Sequence, residues 1–137
     1  MQRLVGGLAV CVAVLILSGC ADLDRGSLQL RFAQGSGICR PAGQAETAAV
    51  SVRDGALWIS GRIATDTPAQ HLVPVLVTHG ADLILRITAV PKPGASPLCL
   101  GMVDYEASIT GLRDGAVRLR VEHADRRILD VTVTVGR

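Results

Sequence analysis

Aromatic side chains are nearly absent from this 137-residue chain, which holds only Phe32, Trp58 and Tyr105. Any core must therefore be built from Val, Leu, Ile and Ala. Lysine is scarcer still: of fourteen basic residues only Lys92 is a lysine. An excess of one charge is also missing, since the net charge is +2. Nucleic-acid binding needs a basic stripe to neutralise phosphates, so this balance gives it no support. There is no C-x-x-C, H-E-x-x-H or G-x-S-x-G, which removes the sequence case for thioredoxin-like redox chemistry, a zincin or a nucleophile elbow. No repeat occurs at a solenoid or propeller period. The length predicts a single domain.

What the chain does have begins at its N-terminus. Arg3 supplies a short basic region, and Leu4 to Leu17 is an uncharged, mostly apolar run of fourteen residues. A permanent membrane span needs about 20 residues, whereas a run of this length suits a secretion signal. It ends in Leu17-Ser18-Gly19-Cys20. This tetrad resembles the lipobox of bacterial lipoproteins, in which the thiol accepts a diacylglyceryl group and cleavage leaves that cysteine first. Cys11 is a poorer match, because Val10 precedes it and little apolar run lies upstream. The resemblance implies a signal peptide over residues 1–19, a lipidated Cys20 and a short polar tether over 20–27. Ala21 follows Cys20, with Asp22 one place later. By the family's sorting rule, that implies an anchor in the outer membrane facing the periplasm, with several acyl chains (palmitate among them) giving stable attachment.

Cys11 leaves with the signal and Cys20 carries lipid, so Cys39 and Cys99 remain. An exported pair in an oxidising compartment reads as one disulfide.

From residue 28 onward, alternation with a period of two dominates. Leu28, Leu30 and Phe32 share one face; Val50 and Val52 follow beyond a loop over 40–44. Asp54-Gly55 is a strong hairpin signal. Beyond it Leu57, Ile59 and Ile63 share a face against Trp58, Ser60 and Arg62. Pro74 within the 72–78 run predicts an edge strand. Leu83 to Ala89, Val103 to Ile109, Val117 to Val121 and Leu129 to Val135 alternate in turn, and the prolines at 91, 93 and 97 mark a loop. The reading is all-β: one antiparallel β-sandwich of about seven or eight short strands over 28–137. A small closed barrel is the alternative.

Tyr105-x-Ala107-x-Ile109-x-Gly111-Leu112-x-x-Gly115, followed by Val117-x-Leu119-x-Val121, resembles the penultimate strands and corner of immunoglobulin-like and fibronectin type III domains. The corner tyrosine of those domains has no counterpart at Ala116 or Val117. The resemblance implies architecture and no function.

His71, His79 and His123 have no ligand spacing and read as solvated turn or strand-end residues; with Asp82 or Asp125 they make a weak metal set. Ser36 and Ser96 read as turn chemistry. Asp104 and Glu106, two apart on one strand, point to one face and are expected to meet the Arg118/Arg120 row across a sheet surface. Trp58 beside Arg62 is the residue pair to examine for binding, against the alternative that Trp58 covers a sheet edge or packs under the 91–97 loop.

No cofactor or metal is expected. The leading functional expectation is a non-enzymatic, lipid-anchored envelope module that binds an envelope protein or a glycan, or serves structurally. The rivals are a periplasmic enzyme inhibitor using the Pro91–Pro97 loop, a small hydrolase, and a carbohydrate-binding module using Trp58.

Overall fold

The computed structural model describes residues 28–94 and 96–136. The expected signal peptide, the expected lipidation site Cys20 and the expected tether lie outside the described residues. Eight strands run β1 (Gln29–Cys39), β2 (Thr47–Arg53), β3 (Ala56–Thr65), β4 (Gln70–His79), β5 (Asp82–Pro91), β6 (Gly101–Thr110), β7 (Gly115–His123) and β8 (Arg126–Val135). They form two four-stranded sheets, ordered β1-β6-β3-β2 and β4-β5-β7-β8. The sheets pack face to face as a β-sandwich, and the barrel alternative falls away. All pairings are antiparallel except β5 with β7.

The alternation decides which side chains meet between the sheets. Leu57, Ile59 and Ile63 of β3 and Val103, Tyr105, Ala107 and Ile109 of β6 bury against Leu83, Leu85 and Ile87 of β5 and Val117, Leu119 and Val121 of β7. The aliphatic core predicted from the scarcity of aromatics is what forms, with Phe32 stacked on Tyr105 at 5.6 Å between ring centroids. Asp54 and Gly55 both take positive φ, 53° and 73°. That is the type I′ geometry that suits a two-residue hairpin.

The turn chemistry expected at Ser36 does not end the first strand; β1 passes through Gly35-Ser36-Gly37 with a bulge between Gln34 and Gly37. The 111–114 turn makes no hairpin. It carries the chain from β6 in one sheet to β7 in the other, where β7 pairs with β5. In immunoglobulin constant domains strands A, B, E and D share a sheet in that order. Here β1 lies beside β6, and β2 lies beside β3, so the sandwich architecture is shared while the connectivity is its own.

Cys39 and Cys99 form a disulfide. It ties the end of β1 to the loop that leads into β6, the strand β1 already pairs with. The bond therefore pins a loop at one end of the sandwich and does not bridge the two sheets.

Pro74 sits on β4, which is an edge strand as expected. The alternation of ladder bonds also tells which way its missing donor points. The Leu72 amide donates to Gln34 Oε1 at 2.7 Å, away from β5. Pro74 shares that parity, so its ring removes a donor from the open edge and spares the ladder. Gln34 Nε2 in turn donates to the Gln70 carbonyl at 3.1 Å. One amide side chain from the β1 bulge thus closes one side of the sandwich by imitating a strand.

Candidate functional site

Three places concentrate chemistry. The first is interior. Tyr105 and His123 point into the core from β6 and β7, with the Tyr105 hydroxyl 2.7 Å from His123 Nε2. His123 Nδ1 lies 3.5 Å from Glu46 Oε1. That contact is electrostatic, since Nδ1 has no aligned hydrogen-bond partner among the described residues. An ionised carboxylate only accepts, so it favours the tautomer with the proton on Nδ1. Nε2 is then left to accept from tyrosine. Glu46 is held from two more directions. The Ala64 amide donates to it at 3.0 Å, and Arg126 grips both oxygens at 2.6 and 2.9 Å.

The environment sets the charges. Burial lowers the His123 pKa, and Arg126 lowers it further while Glu46 opposes. Burial would raise the Glu46 pKa, but the Arg126 hydrogen bond and the Ala64 amide outweigh it and bring it below the ordinary carboxyl value. Burial, then the Glu46 charge, push Tyr105 well above the usual phenol value. The group is a neutral imidazole and phenol capped by an ionised Glu46–Arg126 pair. It closes the β2/β8 side of the sandwich, opposite the Gln34 clasp. Gly61 lies opposite Tyr105 in the β3–β6 register, and a Cβ there would collide with the Tyr105 hydroxyl and the Thr47 carbonyl.

The expectation of a solvated His123 is corrected. The side chain is fully buried, because it extends the inward parity of Val117, Leu119 and Val121. Of the other candidates, His79 faces Asp82 across the β4–β5 ladder, but Asp82 binds Arg120 at 3.0 Å, and His71 stands at the far end of β4. No group of three or more His, Cys, Asp or Glu that could hold a metal occurs among the described residues.

The second place is the outer face of the β1-β6-β3-β2 sheet. A shallow groove of about 470 Å³ crosses all four strands, floored by Ala33, Gly35, Ala49 and Ser60 with Arg62, Asp104 and Glu106 beside them. Arg62 Nε pairs with Asp104 Oδ1 at 3.1 Å. Asp104 and Glu106 do not meet Arg118 and Arg120, which belong to the other sheet. Those arginines bind Asp130 at 2.8 Å and Asp82 at 3.0 Å instead. Trp58 lies on the groove's face, one alternation beyond Ser60, and is 41% exposed. The Arg53 guanidinium sits 4.6 Å from its ring centroid. Trp58 is opposite Ser108, seven positions along β3 from the Thr65–Gly101 pair near which the 91–100 loop docks. That is a separation of about 23 Å along the strand, so it does not pack under that loop.

The third is a cleft of about 580 Å³ at the end of the sandwich where Leu28 enters, lined by Leu83, Leu112, Val117, Arg113 and Asp114.

Compared with protein-family models, with curated proteins and with solved structures, this chain matches none.

Proposed function

We propose that this protein is a lipid-anchored binding module of the bacterial cell envelope, tethered through Cys20 and engaging an envelope protein or glycan through the face that carries Trp58. The observation that carries the binding role is Trp58 itself. A large ring stands out from the sheet with the Arg53 guanidinium against it, on one side of a groove with a charged Arg62–Asp104 pair. An aromatic anchor beside a groove with polar groups is the usual anatomy of a recognition surface.

A binding role is favoured over a catalytic one by where the reactive groups lie. His123 and Glu46 are the described histidine–carboxylate pair that comes together, and His123 is sealed from solvent. General acid–base work needs such a pair within reach of substrate. An inhibitor reading attaches to Leu98, fully exposed beside the disulfide. The Cys99 amide donates to the Pro97 carbonyl at 3.0 Å. That bond folds the backbone tightly around Leu98, whereas strand-like docking in an enzyme cleft requires extended chain.

The test is recovery of partners from native membranes by the full-length protein, compared with Trp58→Ala and Arg62→Ala. Loss of a bound protein or glycan in Trp58→Ala is the expected result. Unchanged recovery of every partner by both variants would remove this face as the binding surface.

A further inference from the structure

Edge strands usually carry charges that discourage pairing with other chains. Three of the four edges here obey: β1 holds Arg31, β2 holds Arg53, and β8 holds Arg126, Arg127 and Asp130. The fourth does not. Gln70 to His79 contains no Asp, Glu, Lys or Arg across ten residues. Its outward side chains include Val75 at 49% and Val77 at 37% exposure.

The edge is protected only over its first half. Gln34 occupies the Gln70 carbonyl and the Leu72 amide, and Pro74 has no amide to offer. Leu76 and Thr78 share the outward parity of Leu72. Among the described residues nothing covers their amides and carbonyls. Four main-chain groups therefore project from a neutral, β-branched strip, ending at a proline.

We propose that the β4 edge from Pro74 to His79 pairs antiparallel with the same edge of a second copy of this chain, about a two-fold axis at Val77. In that register Leu76 of each copy faces Thr78 of the other, and each such pair exchanges two N–H···O=C bonds. The amides and carbonyls of Leu76 and Thr78 are then satisfied on each copy. Pro74 falls just outside the ladder on both sides, so the residue that cannot donate is not asked to. Val77 meets Val77 on the outer face, and Val75 meets His79. The arrangement is isologous, the form a closed dimer takes.

A second copy is favoured over a foreign strand because the strip complements itself. It has no charge to oppose its twin and a symmetric set of donors and acceptors. Leu28, where the described chain starts, lines the same cleft as Thr78 and Gly80. Both chain starts thus come to lie near the axis, and two copies held in one membrane would present these edges at raised local concentration.

Cysteine cross-linking of the full chain in bacterial membranes tests this. In an antiparallel pair, side chains directly opposite have Cβ atoms about 4.5–5.5 Å apart, within reach of an oxidative cross-link. Val77→Cys is expected to give a reductant-sensitive dimer of this chain above the wild-type background. Val75→Cys gives far less, because its own twin lies about 13 Å away along the strand. Sedimentation of the detergent-extracted protein supplies a second reading, with Val77→Lys expected to weaken self-association at least tenfold. The proposal is overturned if Val77→Cys stays monomeric, cross-links to a different protein, or links no better than Val75→Cys. It is equally overturned if the wild-type protein is monomeric by sedimentation at millimolar concentration.

Discussion

Tyr105, His123 and Glu46 show how far a residue's parity can be read and where reading stops. The inward positions of Tyr105 and His123 follow from the period-two runs they extend, and that signal is present at 117, 119, 121 and 123. Glu46 lies just before β2 in a segment with no periodicity, so nothing local announces its contact with His123 from the far sheet. Removing the tyrosine hydroxyl should leave His123 Nε2 buried without a partner. Tyr105→Phe is therefore expected to lower stability by about 1–3 kcal/mol, measured by urea denaturation. The same group makes the fold acid-sensitive. His123 binds its proton less readily when folded than its ordinary value of 6.5 implies. Below that pH the unfolded chain takes up more protons, so stability falls as pH falls. Glu46 adds a loss of the same sign as pH drops through 4.5, its ordinary value, and below. Melting temperature should fall from about pH 7 to about pH 5, and the slope should flatten in His123→Gln.

Strands and turns were legible because each rests on local chemistry. Seven alternating runs and the apolar 72–78 run became eight strands, Asp54-Gly55 became a hairpin, and Pro74 marked an edge. The partners of the strands were not legible. Whether Gly111 to Gly115 folds β7 back beside β6 or sends it to the other sheet depends on packing across the core, and both outcomes leave the same residues facing inward. The expected Asp104–Arg118 pairing failed for that reason. One turn is at odds with its sequence. Ala124, first of the two turn residues between β7 and β8, has φ of 56°, a conformation that crowds a Cβ. Ala124→Gly is expected to raise stability by about 0.5–1 kcal/mol in the same denaturation assay. The disulfide acts on a longer stretch, with 60 residues separating Cys39 from Cys99. In the chain-entropy model a loop of that length contributes about 4 kcal/mol. The Cys39→Ala/Cys99→Ala double variant should lose most of it in the denaturation midpoint while keeping its far-ultraviolet circular dichroism.

At the scale of the whole molecule, polar groups close the two open sides of an aliphatic sandwich, Gln34 on one and the Glu46–Arg126 pair on the other. That leaves function to the outside: the Trp58 face, the β4 edge and the proposed anchor at Cys20. The proposed binding face was half legible. Alternation placed Trp58 and Arg62 outward together, but the groove arises from four strands whose order no local pattern encodes. The anchor is the premise that sets the compartment, and intact-mass analysis of the protein extracted from bacterial membranes tests it most directly. The mass predicted is that of a chain beginning at Cys20, increased by a diacylglyceryl group and reduced by the two hydrogens lost at Cys39 and Cys99. A chain that still carries residues 1–19, with no lipid and with free thiols, would contradict the account.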